Sequence, residues 1–218
     1  MVFKSKNHKG FTIVELMIAI SVFSVVMIIA TTGILLIARQ YQAGVTKTAM
    51  QSATRDIHQK ISDSIKYSGG KITVEENSGN VTGYYVVCVG KIRYFYKTPS
   101  RLINNETDFN NMSGLHFQQQ TNPYKNGNAL AGECGYLVND DINAQQLLPN
   151  NAKVALFNVT ETEDEGVTKT AIIDTTFVKG DYDLFNLGVP PKDLKCKSGV
   201  GNEWCSVVSL SSIVNPRL

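Results

Sequence analysis

Near the start of the chain, Gly10-Phe11 joins a short basic leader to an apolar run, and Glu15 sits just inside that run. From Leu16 to Ala38 no residue is charged. A lone carboxylate in such a setting costs on the order of 3 kcal/mol in a bilayer and needs a partner or a function. Four cysteines, Cys88, Cys134, Cys196 and Cys205, all lie beyond the run. An even number on one side of a membrane points to disulfides formed in an oxidising compartment. No pair has the C-x-x-C spacing that would favour zinc or redox chemistry. Three connectivities are open, and short-range logic favours Cys88–Cys134 and Cys196–Cys205.

Signs of catalysis are sparse. His8 lies in the leader, His58 on a helical stretch and His116 in a segment of weak pattern. No Ser-His-acid arrangement, phosphate-binding loop or H-E-x-x-H motif is present, so neither an enzyme nor a cofactor is expected. The acidic turn 161–166 and the pair Asp181/Asp183 carry oxygen ligands of the kind calcium takes, although solvated turns are the commoner use of this composition. Lys91–Lys97 and Lys192–Lys197 mix lysines with apolar or aromatic residues, a pattern that can stack on single-stranded nucleic acid. The bland reading of the first is a strand with a solvated basic face. Three of the 21 basic residues, Lys4, Lys6 and Lys9, precede Phe11, and 19 acidic residues oppose the total. The remainder is near neutral and leaves no broad basic footprint for nucleic acid.

These residues are positioned by a simple order of elements. Residues 11–38 read as a helix, and ~20 apolar residues at ~1.5 Å each span a hydrocarbon core. Past Arg39 the helix continues to Tyr67 in amphipathic form, with Tyr41, Val45, Ala49, Ala53, Ile57, Ile61 and Ile65 recurring every four residues. That repeat drifts by about 40° per step, so the stripe spirals around the helix. Gly33 and Gly44 are points where the helix could bend, and Ser68-Gly69-Gly70 stops it. The pattern then switches to period two. Lys71–Glu75 and Val81–Val89 form a hairpin, and Lys91–Lys97 follows Gly90 as a third antiparallel strand with Ile92, Tyr94 and Tyr96 on its apolar face. Residues 98–133 are poor in pattern and read as a surface insertion with a short strand at Leu115–Gln118. Ile142–Leu148 reads as a helical turn. Ala152–Thr160 and Val167–Val178 make a second hairpin, and Ser206–Val214 is the closing strand.

The leader glycine, Phe11, the apolar run and its single glutamate, in that order, resemble the N-terminus of a type IV prepilin, a family that includes the pseudopilins of secretion systems. The resemblance covers Lys9 to about Ala38 closely and the extension to Tyr67 in character. It implies an α+β fold, a long N-terminal helix (transmembrane, then amphipathic) packed on an antiparallel β-sheet head. It also implies cleavage between Gly10 and Phe11 by prepilin peptidase, N-methylation of Phe11, and pairing of Glu15 with the amino terminus of a neighbouring subunit. A signal peptide would be cut after its apolar part instead. An uncleaved anchor would also keep the lysines on the cytoplasmic side.

The implied division is 1–10 leader peptide, 11–38 transmembrane and assembly helix, 39–68 amphipathic helix, and 69–218 extracytoplasmic head. The partners would be other pilin subunits, the peptidase and an assembly platform in the cytoplasmic membrane. The protein would be a single-pass membrane protein with its head outside the cytoplasm, then part of a pilus or the cell surface. Head length and the polar insertion favour a minor pilin. The alternatives are a pseudopilin of a type II secretion or competence system, and a membrane-anchored adhesin or DNA receptor. Many pilins carry a proline in the first helix; here Thr31-Thr32-Gly33 stands in that region.

Overall fold

The computed structural model describes residues 10–68, 72–76, 83–90, 92–98, 103–119, 144–164, 167–199 and 201–215. One long helix, α1 (Ile13–Ser68), precedes two antiparallel sheets, giving the α+β layout expected for a pilin. Two compact units are distinguished, Met1–Gln42 and Ala43–Leu218.

From Leu16 to Ala38 α1 is apolar all round, and every described side chain of the first unit is exposed. Such a helix needs an apolar surrounding, because nothing on it distinguishes an inner from an outer face. The serine and threonine hydroxyls of this apolar stretch are satisfied within the helix. Ser21 Oγ donates to Ile18 O at 2.8 Å, Ser24 Oγ to Ile20 O at 2.8 Å, Thr31 Oγ1 to Met27 O at 2.8 Å and Thr32 Oγ1 to Ile29 O at 2.9 Å. Each removes a donor that hydrocarbon could not accept. α1 runs unbroken through Gly33 and Gly44.

In the second unit the remainder of α1 buries one stripe: Met50, Thr54, Ile57, His58, Ile61 and Ile65. The expected four-residue repeat is therefore used only at its C-terminal end. Ile57, Ile61 and Ile65 face the core, while Tyr41 and Val45 are exposed. The drift of a four-residue repeat carries the early members off the buried side.

The first sheet runs in order β1 (Ile72–Glu76), β2 (Tyr84–Val89), β3 (Ile92–Lys97), β4 (His116–Gln119) and β5 (Gln145–Gln146). The first three strands are the expected meander, with Ile72 opposite Val89 and Val89 opposite Ile92. Gly90 has φ +58°, a conformation that the tight β2–β3 turn requires and glycine adopts freely. Residues 144–148 differ from the expected helical turn: Gln145 and Gln146 pair with Phe117 and His116 as an edge strand.

The second sheet contains β6 (Ala152–Asp164), β7 (Val167–Lys179) and β8 (Ser206–Val214), in that order. Facing side chains of both sheets and of α1 share one core, which includes Ile61, Val87, Tyr94, Tyr96, Phe157, Ile173 and Phe177. Polar groups inside it are paired: Tyr94 Oη lies 2.8 Å from Ser64 Oγ, and Tyr96 Oη donates to Phe157 O at 2.6 Å. Burial pushes the Tyr94 phenol up to about 12.

Residues 103–115 correct the expectation of a surface insertion. Ile103, Phe109, Met112 and Leu115 are buried, and a short helix α2 (Glu106–Asn110) is capped by Asn105, whose side chain accepts from Asp108 N at 2.8 Å. Ile103, Phe109 and Met112 form a second core with Ala155, Val178, Phe185 and Leu194. Lys153 closes the end of α2, donating to Phe109 O at 2.8 Å with Nζ 4.4 Å from the Phe109 ring centroid. Burial lowers the pKa of that ammonium, opposed by Asp181.

Candidate functional site

The N-terminal junction is exposed on every described side. Gly10 lies before the helix begins, and a Cβ built on it would meet nothing within 4 Å. Phe11 is 85% exposed. Thr12 and Glu15 then form a reciprocal cap. Glu15 N donates to Thr12 Oγ1 at 3.2 Å, while Glu15 Oε2 accepts from both Thr12 N and Thr12 Oγ1 at 2.9 Å. This is a capping box, T-x-x-E, in which side chains satisfy donors that a helix start leaves unpaired. The negative carboxylate also suits the positive end of the helix dipole. Sequence reasoning had assigned Glu15 only to a neighbouring subunit. Thr12-Ile13-Val14-Glu15 carries the capping signature, and this was the signal it missed. In the single chain the carboxylate is already held within hydrogen-bonding reach of the segment that begins with Phe11.

The other candidate residues are used structurally. His58 is buried between α1 and the second sheet, with Nδ1 3.0 Å from Ser212 Oγ and Nε2 2.6 Å from Thr175 Oγ1. Thr175 Oγ1 itself donates to Leu210 O at 3.3 Å, so it accepts from Nε2–H, and Nδ1 accepts from Ser212. Burial lowers the pKa of His58, with Asp174 opposing. His116 stacks on Phe95 at 5.2 Å between centroids. His8 lies outside the described residues.

In the basic strip at Lys91–Lys97 the middle cation is buried and Lys97 is half-buried. Arg93 is 6% exposed, and Phe95 packs with Val86 and Cys88 on the sheet side opposite the main core. Lys91 lies outside the described residues. Lys192, Lys195 and Lys197 are exposed, but Lys197 Nζ donates to Asp183 O at 2.8 Å. In the acidic turn Glu161 Oε1 accepts from Ile72 N at 2.8 Å, tying β6 to β1; Glu165 and Gly166 lie outside the described residues. Among the described residues, no three His, Cys, Asp or Glu side chains gather where they could hold a metal ion.

Cys196 and Cys205 are joined by a disulfide that closes the loop carrying Trp204. Gly180 packs under it: a Cβ there would stand 3.3 Å from both Cys205 Cα and Trp204 O, at φ +135°. Cys88 lies on β2 and is disulfide-bonded, while Cys134 lies outside the described residues.

Residues 5–31 match the family model described as the prokaryotic N-terminal methylation motif, which is characteristic of type IV pilin and pseudopilin precursors. The match takes in residues 5–9, Gly10, Phe11, the Thr12–Glu15 cap and the first turns of the apolar helix. It implies processing by prepilin peptidase and assembly in a membrane-associated system of a structural, pilin-type protein. α1 is long and apolar enough to cross a membrane, consistent with anchoring there. No curated protein and no solved structure matches the chain significantly.

Proposed function

We propose that this chain is a minor pilin, a structural and assembly subunit of a type IV pilus. Residues 1–10 are the leader removed between Gly10 and Phe11, and Phe11 becomes the methylated amino terminus. Residues 11–38 hold the subunit in the cytoplasmic membrane, 39–68 continue the helix into the head, and 69–218 form the extracytoplasmic head. On extraction into a filament, the apolar helix leaves lipid for the neighbouring helices of other pilin subunits, brought together at an assembly platform in the membrane.

One observation carries this reading: an apolar helix left uncovered by the described residues begins at a methylation motif whose single acid sits in its first turn. In an apolar filament core a carboxylate and an amino terminus are each costly alone and compatible as a pair. The capping box presents Glu15 in that first turn, so an incoming amine would exchange for, or join, the Thr12 hydroxyl. The disulfide-closed loop at 196–205 suits a head exposed to an oxidising compartment. Burial of Arg93 weakens the case for a DNA receptor, because one of the two basic strips loses its middle cation to the interior.

The test is the intact mass of protein recovered from membranes, together with its presence in sheared filaments. Loss of residues 1–10 plus one methyl group on Phe11, with the chain present in filaments, is expected. A full-length unmodified chain would overturn processing. A processed chain found in a secretion apparatus and absent from pili would replace the pilus assignment with the pseudopilin one.

A further inference from the structure

Among the described residues the second sheet has two unlike edges. The β6 edge is occupied at several points: Val154 N donates to Ser113 O at 2.8 Å, and Phe157 O accepts from Tyr96 Oη. The β8 edge has strand β7 on one side and, among the described residues, no backbone partner on the other. β8 runs Ser206-Val207-Val208-Ser209-Leu210-Ser211-Ser212-Ile213-Val214 over nine residues, and its register with β7 is unbroken. Exposed edges in soluble domains are commonly blunted by charge, proline, a bulge or shortness. This one has no charge, no proline and no bulge.

We propose that β8 is a self-association edge, pairing antiparallel with β8 of a second copy of this chain about a two-fold axis at Leu210. The residue types support this occupant. An antiparallel pair centred on Leu210 sets Leu210 opposite Leu210, Ser209 opposite the second copy's Ser211, and Val207 opposite its Ile213. On the face that carries Val207, Ser209, Ser211 and Ile213, hydroxyl meets hydroxyl and apolar meets apolar; on the other face Val208 falls opposite Ser212 and Ser206 opposite Val214, flanking the Leu210 pair. Ile213, 72% exposed in the single chain, gains an apolar neighbour, and no like charges meet because the strand has none. A shift by one residue would break this matching on the face that carries Ser209, Ser211 and Ile213. The two three-stranded sheets would become one continuous sheet. The surface concerned lies in the head, so the inference stands apart from the filament reading.

The experiment uses the full chain in detergent micelles, with mass measured across concentration. Ser209 and Ser211 are exposed; Ser209 Oγ lies 3.0 Å from Oγ1 of the buried Thr176, a contact that both double variants lose alike, so the comparison between them isolates the charge pairing. Wild type is expected to form a dimer. Ser209→Lys/Ser211→Lys sets lysine against lysine twice and is expected to weaken association at least about tenfold. Ser209→Glu/Ser211→Lys sets glutamate against the second copy's lysine twice and is expected to restore it. Circular dichroism and melting confirm that each variant folds. A monomeric wild type overturns the proposal. So does a Lys/Lys variant that still dimerises, which would place the contact on the apolar helix. Failure of the folded Glu/Lys variant to recover overturns the register.

Discussion

The two stretches of α1 have the same backbone and opposite fates. Over residues 13–42 every side chain is exposed, although leucine, isoleucine, valine and methionine dominate. Over residues 43–68 the apolar stripe is buried against two sheets, and a polar face remains outside. The difference lies in what surrounds the helix. The second stretch finds its apolar partner within its own chain. The first finds none among the described residues. Changes in the first stretch should therefore alter processing and assembly while leaving the head's melting untouched. Changes in the second should do the reverse.

The strongest attempt to break that contrast is Gly10→Leu. It should abolish cleavage and leave a precursor in the membrane, with head melting unchanged; electrophoresis of membrane fractions would show normal processing if the site is wrong. Glu15→Val should permit insertion and cleavage but reduce recovery in sheared filaments by about tenfold or more. Assembly at the normal level would remove the proposed pairing with a neighbour's amine.

Within the head, Ile61→Ala should cost about 2–5 kcal/mol in denaturant unfolding, because it opens a cavity in the shared core. Ile28→Ala, on the exposed stretch, should leave the same unfolding curve in place. Equal effects of the two would end the comparison. Replacing both Cys196 and Cys205 by serine should cost the head about 2–3 kcal/mol, from the loop entropy of a bridge spanning nine positions. Filament recovery should follow only as far as the head remains folded.

The smallest effect concerns pH. The folded pKa of His58 lies below its ordinary 6.5, so the unfolded chain binds the proton more readily. Its contribution to stability is complete above about 6.5 and diminishes as pH falls from there toward the folded value. Melting temperature should therefore drop on acidification below pH 6.5, and His58→Gln should flatten that part of the profile. An unchanged slope would show that the histidine is not the group responsible.

Much of the fold was legible because it is written locally. The apolar run, the period-two strands at 84–89 and 92–97, the hairpin of β6 and β7 and the last strand at 206–214 each follow from short-range pattern. The Thr12–Glu15 cap is equally local, since its T-x-x-E spacing stands in four consecutive residues. Residues 103–115 were harder. Their apolar side chains, Ile103, Phe109, Met112 and Leu115, are spaced without a regular period and become a core only against Ala155, Val178, Phe185 and Leu194. Arg93 was misread for a related reason: alternation predicts one dry face and one wet face, but Val86, Cys88 and Phe95 pack on the second face of this sheet.

The sequence by itself determined that the chain begins with a methylation motif, that one apolar helix follows, and that an α+β head comes after it. Those features depend on the composition and period of continuous segments, which the chain carries wherever it is folded. Tertiary structure decided which part of the four-residue stripe is buried, that the strands divide into two sheets, and that His58 joins α1 to β7 and β8. It also decided that β6 meets Ser113 and Tyr96 at its edge, while β8 has β7 as its strand neighbour among the described residues. Such outcomes depend on pairings between residues far apart in the chain, as when Ser113 meets Val154 or His58 meets Ser212. No local period records which distant partner a strand edge or a polar side chain will meet.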